Sequence, residues 1–188
     1  MKNAFSPKIR EWASELRLQT IRFRPVRPVD AGYILSLRID PRYNQHLSAP
    51  PPSIEAQEAW ISRYLEREEA GEEYYFVIEK LGGAPCGTVR LYDFRDGSFS
   101  WGSWILDNNK TRYAALESAL LVYSVGFDYL EFPRSHFDVR LENTKVISFH
   151  RKMGAVIINS DELNVYMILE KQIFETNKPR LLSIVSSD

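Results

Sequence analysis

Three consecutive apolar runs, separated by tight-turn dipeptides, constrain the fold of this chain most. The runs are residues 74–81 (YYFVIEKL), 87–94 (GTVRLYDF) and 98–106 (SFSWGSWIL). All three are rich in aromatic and β-branched residues, which favour strands. Gly82-Gly83 follows the first run and Asp96-Gly97 precedes the third, and both dipeptides are typical of hairpin turns. The pattern therefore predicts three antiparallel strands, one after another.

A long helix and a further strand follow these three strands. Residues 111–130 place apolar side chains at helical spacing, and residues 135–141 (SHFDVRL) alternate as a strand does. A strand, a helix and another strand in succession predict a crossover connection, and hence at least one parallel pair. The remaining predicted elements are a strand over 20–26, helices over 30–38, 53–69 and 143–153, and a hairpin over 155–160 and 165–171.

Together these elements predict an α/β fold. We expect a single domain with a mixed, mostly antiparallel sheet of about seven strands and about four helices, and 188 residues suffice for its core. Apolar residues between positions 8 and 18 predict a short amphipathic helix, so residues 1–18 are expected to form a helical extension. The domain would span residues 19–175, and residues 176–188 would form a polar tail.

Composition excludes several classes of protein. The formal net charge of -1 argues against a general nucleic-acid binder, which needs a basic surface. The single cysteine, Cys86, excludes an intramolecular disulfide framework, and the three histidines show no metal-ligand spacing, so we expect no metal. No apolar run reaches the ~18 residues that span a bilayer, and residues 1–18 lack the apolar core of a signal peptide. We therefore expect a cytoplasmic protein without a membrane span.

The start of the long helix, at residues 110–112, is a candidate anion site. The first N–H groups of a helix have no partner within it, and the helix dipole is positive at that end. Lys110 and Arg112 add positive charge there. A solvated helix start with two surface cations explains the same pattern, so both interpretations stay open at this point.

Residues 143–155 (NTKVISFHRKMGA) carry a more specific signal. The segment resembles a helix of the GNAT acetyltransferases that opens with an asparagine and ends in Lys-x-Gly followed by Phe or Ala. The predicted element order over residues 20–171 is also similar to the GNAT fold, in which the sheet splays at its centre. The strings EYYFVIE, FSWGSWIL and AALESALLVY most resemble the branch of ribosomal-protein and sugar-nucleotide acetyltransferases, especially enzymes of surface-polysaccharide amino sugars.

The resemblance implies acetyl-CoA as the acyl donor. Backbone groups of Trp104, Ile105 and Leu106, on the strand before the long helix, would hydrogen-bond its pantetheine arm. The residues that would bind its pyrophosphate are Lys110, Thr111, Arg112, Tyr113, Ala114 and Ala115. Further donor contacts are implied for Asn143, Phe149 and Arg151. A helix cap, a core aromatic and a surface cation explain these last three positions equally well.

The pyrophosphate-binding turn departs from the family pattern. The family usually has (Arg/Gln)-x-x-Gly-x-(Gly/Ala) here, whereas residues 111–116 read TRYAAL, without a glycine. Glycine permits close approach of the backbone to a phosphate. Either Arg112 compensates with a side-chain contact, or the donor site is weakened or lost.

The resemblance also implies that His150 protonates the departing thiolate, because many family members place a tyrosine acid near this position. An imidazole suits that role, since its ordinary pKa lies close to neutrality. Glu117, His136 and Asp138 are candidates for the base. His136, Asp138 and Arg140 share one strand face by alternation, so a solvated face or an ion pair is an alternative for them. A helical histidine without a chemical role is the alternative for His150.

Acceptor recognition is expected from the loop after the first helix and from the hairpins. The candidate residues are Arg38, Arg42, Tyr43, Asn44, His46, Tyr92 and Trp101. Arginine suits a nucleotide diphosphate, and aromatic rings suit a sugar or a base. The sequence thus predicts an acetyl-CoA-dependent N-acetyltransferase that transfers acetyl directly to a primary amine, with a nucleotide-linked amino sugar as the expected acceptor.

Other interpretations stay open. The acceptor could be a protein N-terminus or another small amine. The chain could also be a catalytically degenerate GNAT module that binds acyl-CoA without turnover. Members of the family are often dimers, so the resemblance leaves a homodimer open.

Overall fold

Seven strands and five α-helices occur in the part of the chain that the structure describes, which is residues 11–12, 14–45 and 47–186. The structure is a computed structural model. The strands are β1 (Ile21–Pro25), β2 (Tyr74–Lys80), β3 (Pro85–Arg95), β4 (Ser98–Leu106), β5 (Arg134–Arg140), β6 (Val156–Ser160) and β7 (Asn164–Glu170). The helices are α1 (Ala31–Ile39), α2 (Ile54–Ala70), α3 (Ala114–Tyr123), α4 (Thr144–Met153) and α5 (Lys171–Val185).

The strands form one open sheet in the order β1-β2-β3-β4-β5-β7-β6. Neighbouring strands are antiparallel except for β4 and β5, which are parallel, as the crossover through α3 requires. Only two residue pairs join β4 to β5, Ser98 with Arg134 and Phe99 with Ser135. Beyond them the two strands separate. The predicted mixed sheet with a central splay is therefore confirmed.

The larger hydrophobic core lies between the sheet and helices α3 and α5. Phe99 of β4, Tyr123 of α3 and Phe174 of α5 are fully buried in it. A smaller cluster on the other face, with Ile34 of α1 and Ile61 of α2, packs these two helices against β2. The sheet thus carries helices on both faces, and the splay remains open between them.

Helix α2 is fixed to the sheet by a buried polar network. The carboxylate of Glu68 accepts hydrogen bonds from the Tyr64 hydroxyl and from Arg27 Nη1, the latter at 3.1 Å. The Tyr64 hydroxyl in turn accepts the N–H of Tyr75 at 2.8 Å. Removing one partner from such a network leaves a buried charge unpaired, which costs roughly 3–5 kcal/mol. The network therefore holds the inner face of α2 in a defined position.

The predicted N-terminal helix is only partly found. Positions 1–10 and 13 lie outside the described residues. Glu11 and Trp12 are helical, but the predicted helix does not continue to residue 18. Arg17 instead forms a β-bridge with Arg22, and Phe23 N–H donates to Leu16 O at 2.8 Å. This segment is extended because its backbone groups pair with the edge strand β1.

The predicted polar tail is also different in the structure. The hairpin ends at Glu170, and α5 continues from Lys171 to Val185. Phe174, Leu181 and Val185 are buried along one face of this helix. The helix forms despite Pro179 because burial of that apolar face offsets the hydrogen bond that proline cannot donate.

Near the end of the predicted long helix, residues Ser124–Tyr129 form a π-helical segment directly after α3. Gly126 lies in this wider turn directly against the Phe99 ring, and a Cβ at that position would overlap the ring. We expect Gly126→Ala to lower the free energy of unfolding by about 3 kcal/mol because it overpacks this contact. Urea denaturation measures the change.

Gly32→Ala is the matched control. Gly32 lies in α1, and no atom stands within 4 Å of the Cβ that alanine would add. This substitution is expected to raise the free energy of unfolding by about 0.5 kcal/mol, since glycine costs helix stability. Equal effects of the two substitutions would contradict the described packing of Phe99 on Gly126.

Candidate active site

The gap between β4 and β5 opens into a cavity of about 450 Å³, here called the splay cavity. Its walls come from the loop after α1, from the ends of β3 to β5 and from one face of α4. The lining residues are Arg38, Tyr43, Leu47, Ser48, Tyr92, Trp101, Gly102, Ser103, Trp104, Phe137, Asp138, Val139, Arg140, Asn143, Val146, His150 and Asn164.

A β-bulge in β4 forms part of this wall. Arg90 of β3 pairs with Gly102, whereas Thr88 pairs with Ile105, so β4 contains one extra residue over this interval. Ser103 has a φ of 47°, a left-handed conformation that costs a non-glycine residue on the order of 1 kcal/mol. Its carbonyl accepts the Thr88 hydroxyl at 3.1 Å. The bulge therefore changes the direction of the β4 backbone at the edge of the cavity.

His150 of α4 lies between β4 and β5 where the two strands separate. Its ring centroid lies 4.3 Å from that of Phe137 on β5 and 5.2 Å from that of Trp101 on β4. Burial lowers the pKa of His150 to about 3. The imidazole is therefore neutral at physiological pH and has no readily released proton. This environment speaks against the predicted role of His150 as the acid that protonates the thiolate.

His150 has a buried polar atom without a hydrogen-bond partner within the described residues. This atom is Nδ1, and the side chain is almost completely buried, whereas the indole N–H of Trp101 is directed to the Tyr123 hydroxyl in the core. Buried polar atoms are normally satisfied, and exceptions concentrate where a ligand or water completes the site. Nδ1 of His150 therefore remains for a bound molecule or a water to satisfy.

Asp138 and Tyr92 are the groups of the splay cavity best suited to move protons. Asp138 is the one carboxylate among the described residues that line it. Burial raises the pKa of Tyr92, and the charge of Asp138 raises it further, while a hydrogen bond from Ser100 works in the opposite direction. Tyr92 thus keeps its proton at neutral pH beside an exposed carboxylate.

Glu117, a predicted base, lies outside the splay cavity. Its carboxylate is fully buried and accepts the N–H of Thr20 at 2.8 Å and the Thr20 hydroxyl. That hydroxyl is also 2.6 Å from the Thr111 hydroxyl. Glu117 therefore joins the start of α3 to β1, and the prediction that it acts on the acceptor is not supported.

His136, another predicted base, also lies outside the lining. Its Nε2 is 3.1 Å from Oδ2 of Asp93, a carboxylate that also pairs with Arg95. The alternative interpretation from sequence, a polar contact on the strand face without a catalytic role, describes His136 better. Asp138 and Arg140, further along β5, are the members of that face that line the cavity.

The predicted donor-binding strand has a free edge toward β5. Ile105 and Leu106 pair with Thr88 and Gly87 of β3, and β5 has separated from β4 at this level. Trp104 lines the cavity, and its Nε1 donates to the Ser118 hydroxyl of α3 at 3.0 Å. The strand is therefore fixed on its β3 side and open on the other.

The predicted pyrophosphate turn precedes α3. Lys110 is exposed, and the Arg112 guanidinium lies 5.0 Å from the centroid of the Tyr113 ring. Ala114 is buried, and Ala115 is half-buried in the first turn of the helix. Side-chain cations and the free N–H groups of α3 thus occur together, but a phosphate contact here stays a prediction.

The remaining predicted donor residues lie on α4. Asn143 caps the helix through Oδ1, which accepts the N–H of Val146 at 3.4 Å, and it also lines the splay cavity. Gly154, with a φ of 109°, ends the helix. Phe149 packs on Trp104 at 5.2 Å between ring centroids, and Arg151 is on the exposed side. Arg151 therefore lies away from the cavity.

Four predicted acceptor residues line the splay cavity, namely Arg38, Tyr43, Tyr92 and Trp101. Asn44 does not line it, Arg42 pairs with Asp40 on the surface, and His46 lies outside the described residues. Sequence reasoning missed Gly102 and Ser103. The glycine within a strand pattern was a signal for the bulge.

A family model described as "Acetyltransferase (GNAT) domain" matches residues 20–156. The chain belongs to the GNAT acetyltransferase family. It is therefore an acyltransferase, and the members of this family use acetyl-CoA as the acyl donor. The match covers β1 to the start of β6 and so includes every residue that lines the splay cavity except Asn164.

Solved structures agree with this assignment. The apo structure of FdhC, described as a nucleotide-linked sugar GNAT, is 48% identical, with a TM-score of 0.82, over 88% of this chain and 94% of that one. A chimera of spermidine N-acetyltransferase SpeG from Vibrio cholerae and hSSAT is 18% identical, with a TM-score of 0.70, over 84% of this chain and 99% of that one. The second likeness shows the fold alone. A search of curated proteins found no match.

Two kinds of feature do not occur among the described residues. No helix there is long and apolar enough to cross a membrane. No group of three or more His, Cys, Asp or Glu side chains there could hold a metal ion.

The pKa of His150 makes a prediction about stability. An unfolded histidine binds a proton near pH 6.5, whereas folded His150 does so only near pH 3. The contribution of His150 to stability is therefore fully present above pH 6.5 and is lost as the pH decreases toward 3, because the unfolded state binds more protons. Between pH 7.5 and 5.0 the wild type should lose about 2 kcal/mol more stability than His150→Gln.

Urea denaturation of both proteins at the two pH values measures this difference. The stability of each protein at pH 5.0 is compared with its own stability at pH 7.5. A general loss of packing in His150→Gln therefore cancels from the comparison. Parallel pH dependences for the two proteins would show that His150 is not buried in neutral form.

Proposed function

We propose that this acetyltransferase transfers the acetyl group of acetyl-CoA to an amino group on a nucleotide-linked sugar. The observation that carries the proposal is the 48% identity, over nearly the full length of both chains, to a structure described as a nucleotide-linked sugar GNAT. The splay cavity supports it, because Arg38 and Arg140 line it together with Tyr43 and Trp101. Cations and aromatic rings suit phosphates and sugar faces.

The residues around the splay fit acetyl-CoA. The open edge of β4 offers backbone groups to the amides of an extended pantetheine arm, as one strand offers them to another. The unpartnered Nδ1 of His150 lies at the end of that path. Lys110 and Arg112 stand at the start of α3, where an anion is favoured. When bound, acetyl-CoA supplies an activated thioester.

The chain's own groups then have defined tasks. Asp138 accepts the proton that the amine must lose, since it is the carboxylate that faces the splay cavity. Tyr92 retains its proton and provides an O–H donor beside it. His150 remains neutral and positions Trp101 and Phe137 on the two strands. The bulge leaves Ser103 and Trp104 without partners on β3, and backbone N–H groups there would stabilise developing negative charge.

The test is acetylation of a panel of amines, followed by mass spectrometry. The panel contains nucleotide-linked amino sugars, free amino sugars, polyamines and peptides with free N-termini. Acetylation of the nucleotide-linked sugars in preference to the others supports the proposal. Acetylation of peptides or polyamines but never of amino sugars would overturn it.

A thermal-shift titration separates an enzyme from a degenerate binding module. Acetyl-CoA that binds the folded chain raises its apparent stability by mass action. A shift without acetylation of any amine in the panel would favour the module, and the glycine-free turn at residues 111–116 is the feature that motivates this control. An unchanged unfolding temperature at millimolar acetyl-CoA would count against both the enzyme and the binding module.

The predicted cytoplasmic location and homodimer rest on separate arguments. The location rests on the single cysteine, Cys86, which is buried and suits a reducing compartment. The dimer rests on the family resemblance. Both stay predictions.

Asp138→Asn tests the proposed base. The substitution keeps the shape of the side chain but removes its ability to accept a proton, so kcat should fall about 100-fold. Binding of acetyl-CoA, measured by thermal shift, should not change. Glu142→Gln, an exposed carboxylate just after β5, is the control and should keep wild-type kcat. Wild-type kcat in Asp138→Asn would remove Asp138 from the mechanism.

A further inference from the structure

Two segments that lead to different parts of the site meet beside the end of β4. The β4–α3 turn, residues 107–113, leads into the predicted pyrophosphate site at the start of α3. The α1–α2 loop, described over residues 40–45 and 47–53, borders the splay cavity. Residues of both segments, Tyr43 and Asn108 among them, line one shallow groove on the surface. The two segments are therefore neighbours.

Tyr43 joins the loop to the turn. Its hydroxyl accepts the N–H of Asn108 at 3.1 Å, and its side chain lines both the splay cavity and the surface groove. The Arg42 guanidinium lies 5.2 Å from the centroid of the Tyr43 ring and pairs with Asp40, the residue that ends α1. A single side chain thus contacts the splay cavity and the turn.

The β4–α3 turn has further contacts that give it a defined shape. Asp107 Oδ1 accepts the N–H of Asn109 at 2.7 Å, and Asp107 Oδ2 accepts the Tyr33 hydroxyl at 2.9 Å. Burial and the hydrogen bond to Asp107 raise the pKa of Tyr33, so its hydroxyl remains a donor at neutral pH. The Asn109 side chain donates to Pro85 O of β3 at 3.1 Å. The turn is therefore fixed to α1 and β3.

The first part of the α1–α2 loop is held differently. The N–H groups of Tyr43 and Asn44 both donate to Asp40 O, so these hydrogen bonds are local. Residues 41, 42 and 45 are exposed. Backbone with exposed, local hydrogen bonds opens at a low free-energy cost. The position of this part of the loop therefore depends on the contact between Tyr43 and Asn108.

We propose that Tyr43 is a positioning residue that couples the two substrate sites. Acetyl-CoA bound at the start of α3 fixes the β4–α3 turn, and Asn108 then fixes Tyr43 and the loop against the splay cavity. A ligand that orders one of two linked segments lowers the entropy cost of ordering the other. The inference rests on the proposed function, because that function places the donor at α3 and the acceptor in the splay cavity.

Calorimetric titration with acetyl-CoA tests the coupling from the donor side. Coupling between two sites is reciprocal, so loss of the contact must also weaken donor binding. Tyr43→Phe keeps the ring but removes the hydroxyl, and it should weaken acetyl-CoA binding about threefold, since one partly exposed hydrogen bond is lost. Tyr129→Phe removes a hydroxyl that donates to Glu15 and should keep wild-type affinity. Wild-type affinity in Tyr43→Phe would overturn the inference.

Hydrogen–deuterium exchange shows whether the effect passes through the loop. In the wild type, saturating acetyl-CoA should slow the exchange of residues 110–115 and also of residues 40–45, which include the N–H groups of Tyr43 and Asn44. In Tyr43→Phe the protection of residues 110–115 should remain, whereas that of residues 40–45 should be lost. Protection of residues 40–45 that is absent in the wild type, or unchanged in the variant, would overturn the inference.

Tyr33→Phe separates this coupling from a general loosening of the turn. It removes a hydroxyl from the same turn, but one that comes from α1, and it leaves the contact between Tyr43 and Asn108 in place. Saturating acetyl-CoA should therefore still slow the exchange of residues 40–45 in this variant. Loss of that protection in both variants would assign the effect to the turn and overturn the role of Tyr43.

The inference and the proposed function fail in distinguishable ways. If nucleotide-linked amino sugars are acetylated but residues 40–45 do not respond to acetyl-CoA, the proposed function stands and the coupling does not. If no amino sugar is acetylated but residues 40–45 respond in a Tyr43-dependent manner, the coupling stands and the proposed acceptor does not. If acetyl-CoA binds without protecting residues 110–115, the donor site and the coupling both fail.

Discussion

The contact of His150 with both diverging strands is the interaction on which the site depends. Strands β4 and β5 pair over two residues only, and the neutral imidazole then packs between Trp101 of one and Phe137 of the other. A charged or smaller group in this place would either carry a desolvation cost or let the strands approach. The splay is thus maintained by packing, and it leaves the edge of β4 free for another partner.

Several features of the site follow from that opening. Two residues that the sequence suggested as catalytic form structural contacts instead. Glu117 joins α3 to β1, and His136 contacts Asp93. The groups left facing the splay cavity are Asp138 and Tyr92. A second cavity, lined by Gln57 and Trp60 among others, extends the same opening toward α1 and α2, and Arg38 lines both spaces.

Local patterns predicted the elements well, because alternation, helical spacing and turn dipeptides depend on neighbouring residues. The strands over 74–106 and the helix closed by Gly154 are examples. Side-chain environments could not be predicted in this way. Glu117 is buried by Thr20, which lies 97 positions away, and Gln57 reads as a surface residue on a polar helix. The C-terminal helix was missed because its burial against α3 outweighs the local effect of Pro179.

Hydrogen–deuterium exchange of the full chain with and without saturating acetyl-CoA tests the central claim most directly. The amide hydrogens of β4 that face the gap, between Ser103 and Leu106, should exchange more slowly when the donor is bound, because its pantetheine arm replaces the missing strand. Those of the distant edge strand β6 should not change. Unchanged exchange along β4, under conditions in which a thermal shift shows that acetyl-CoA is bound, would contradict the account.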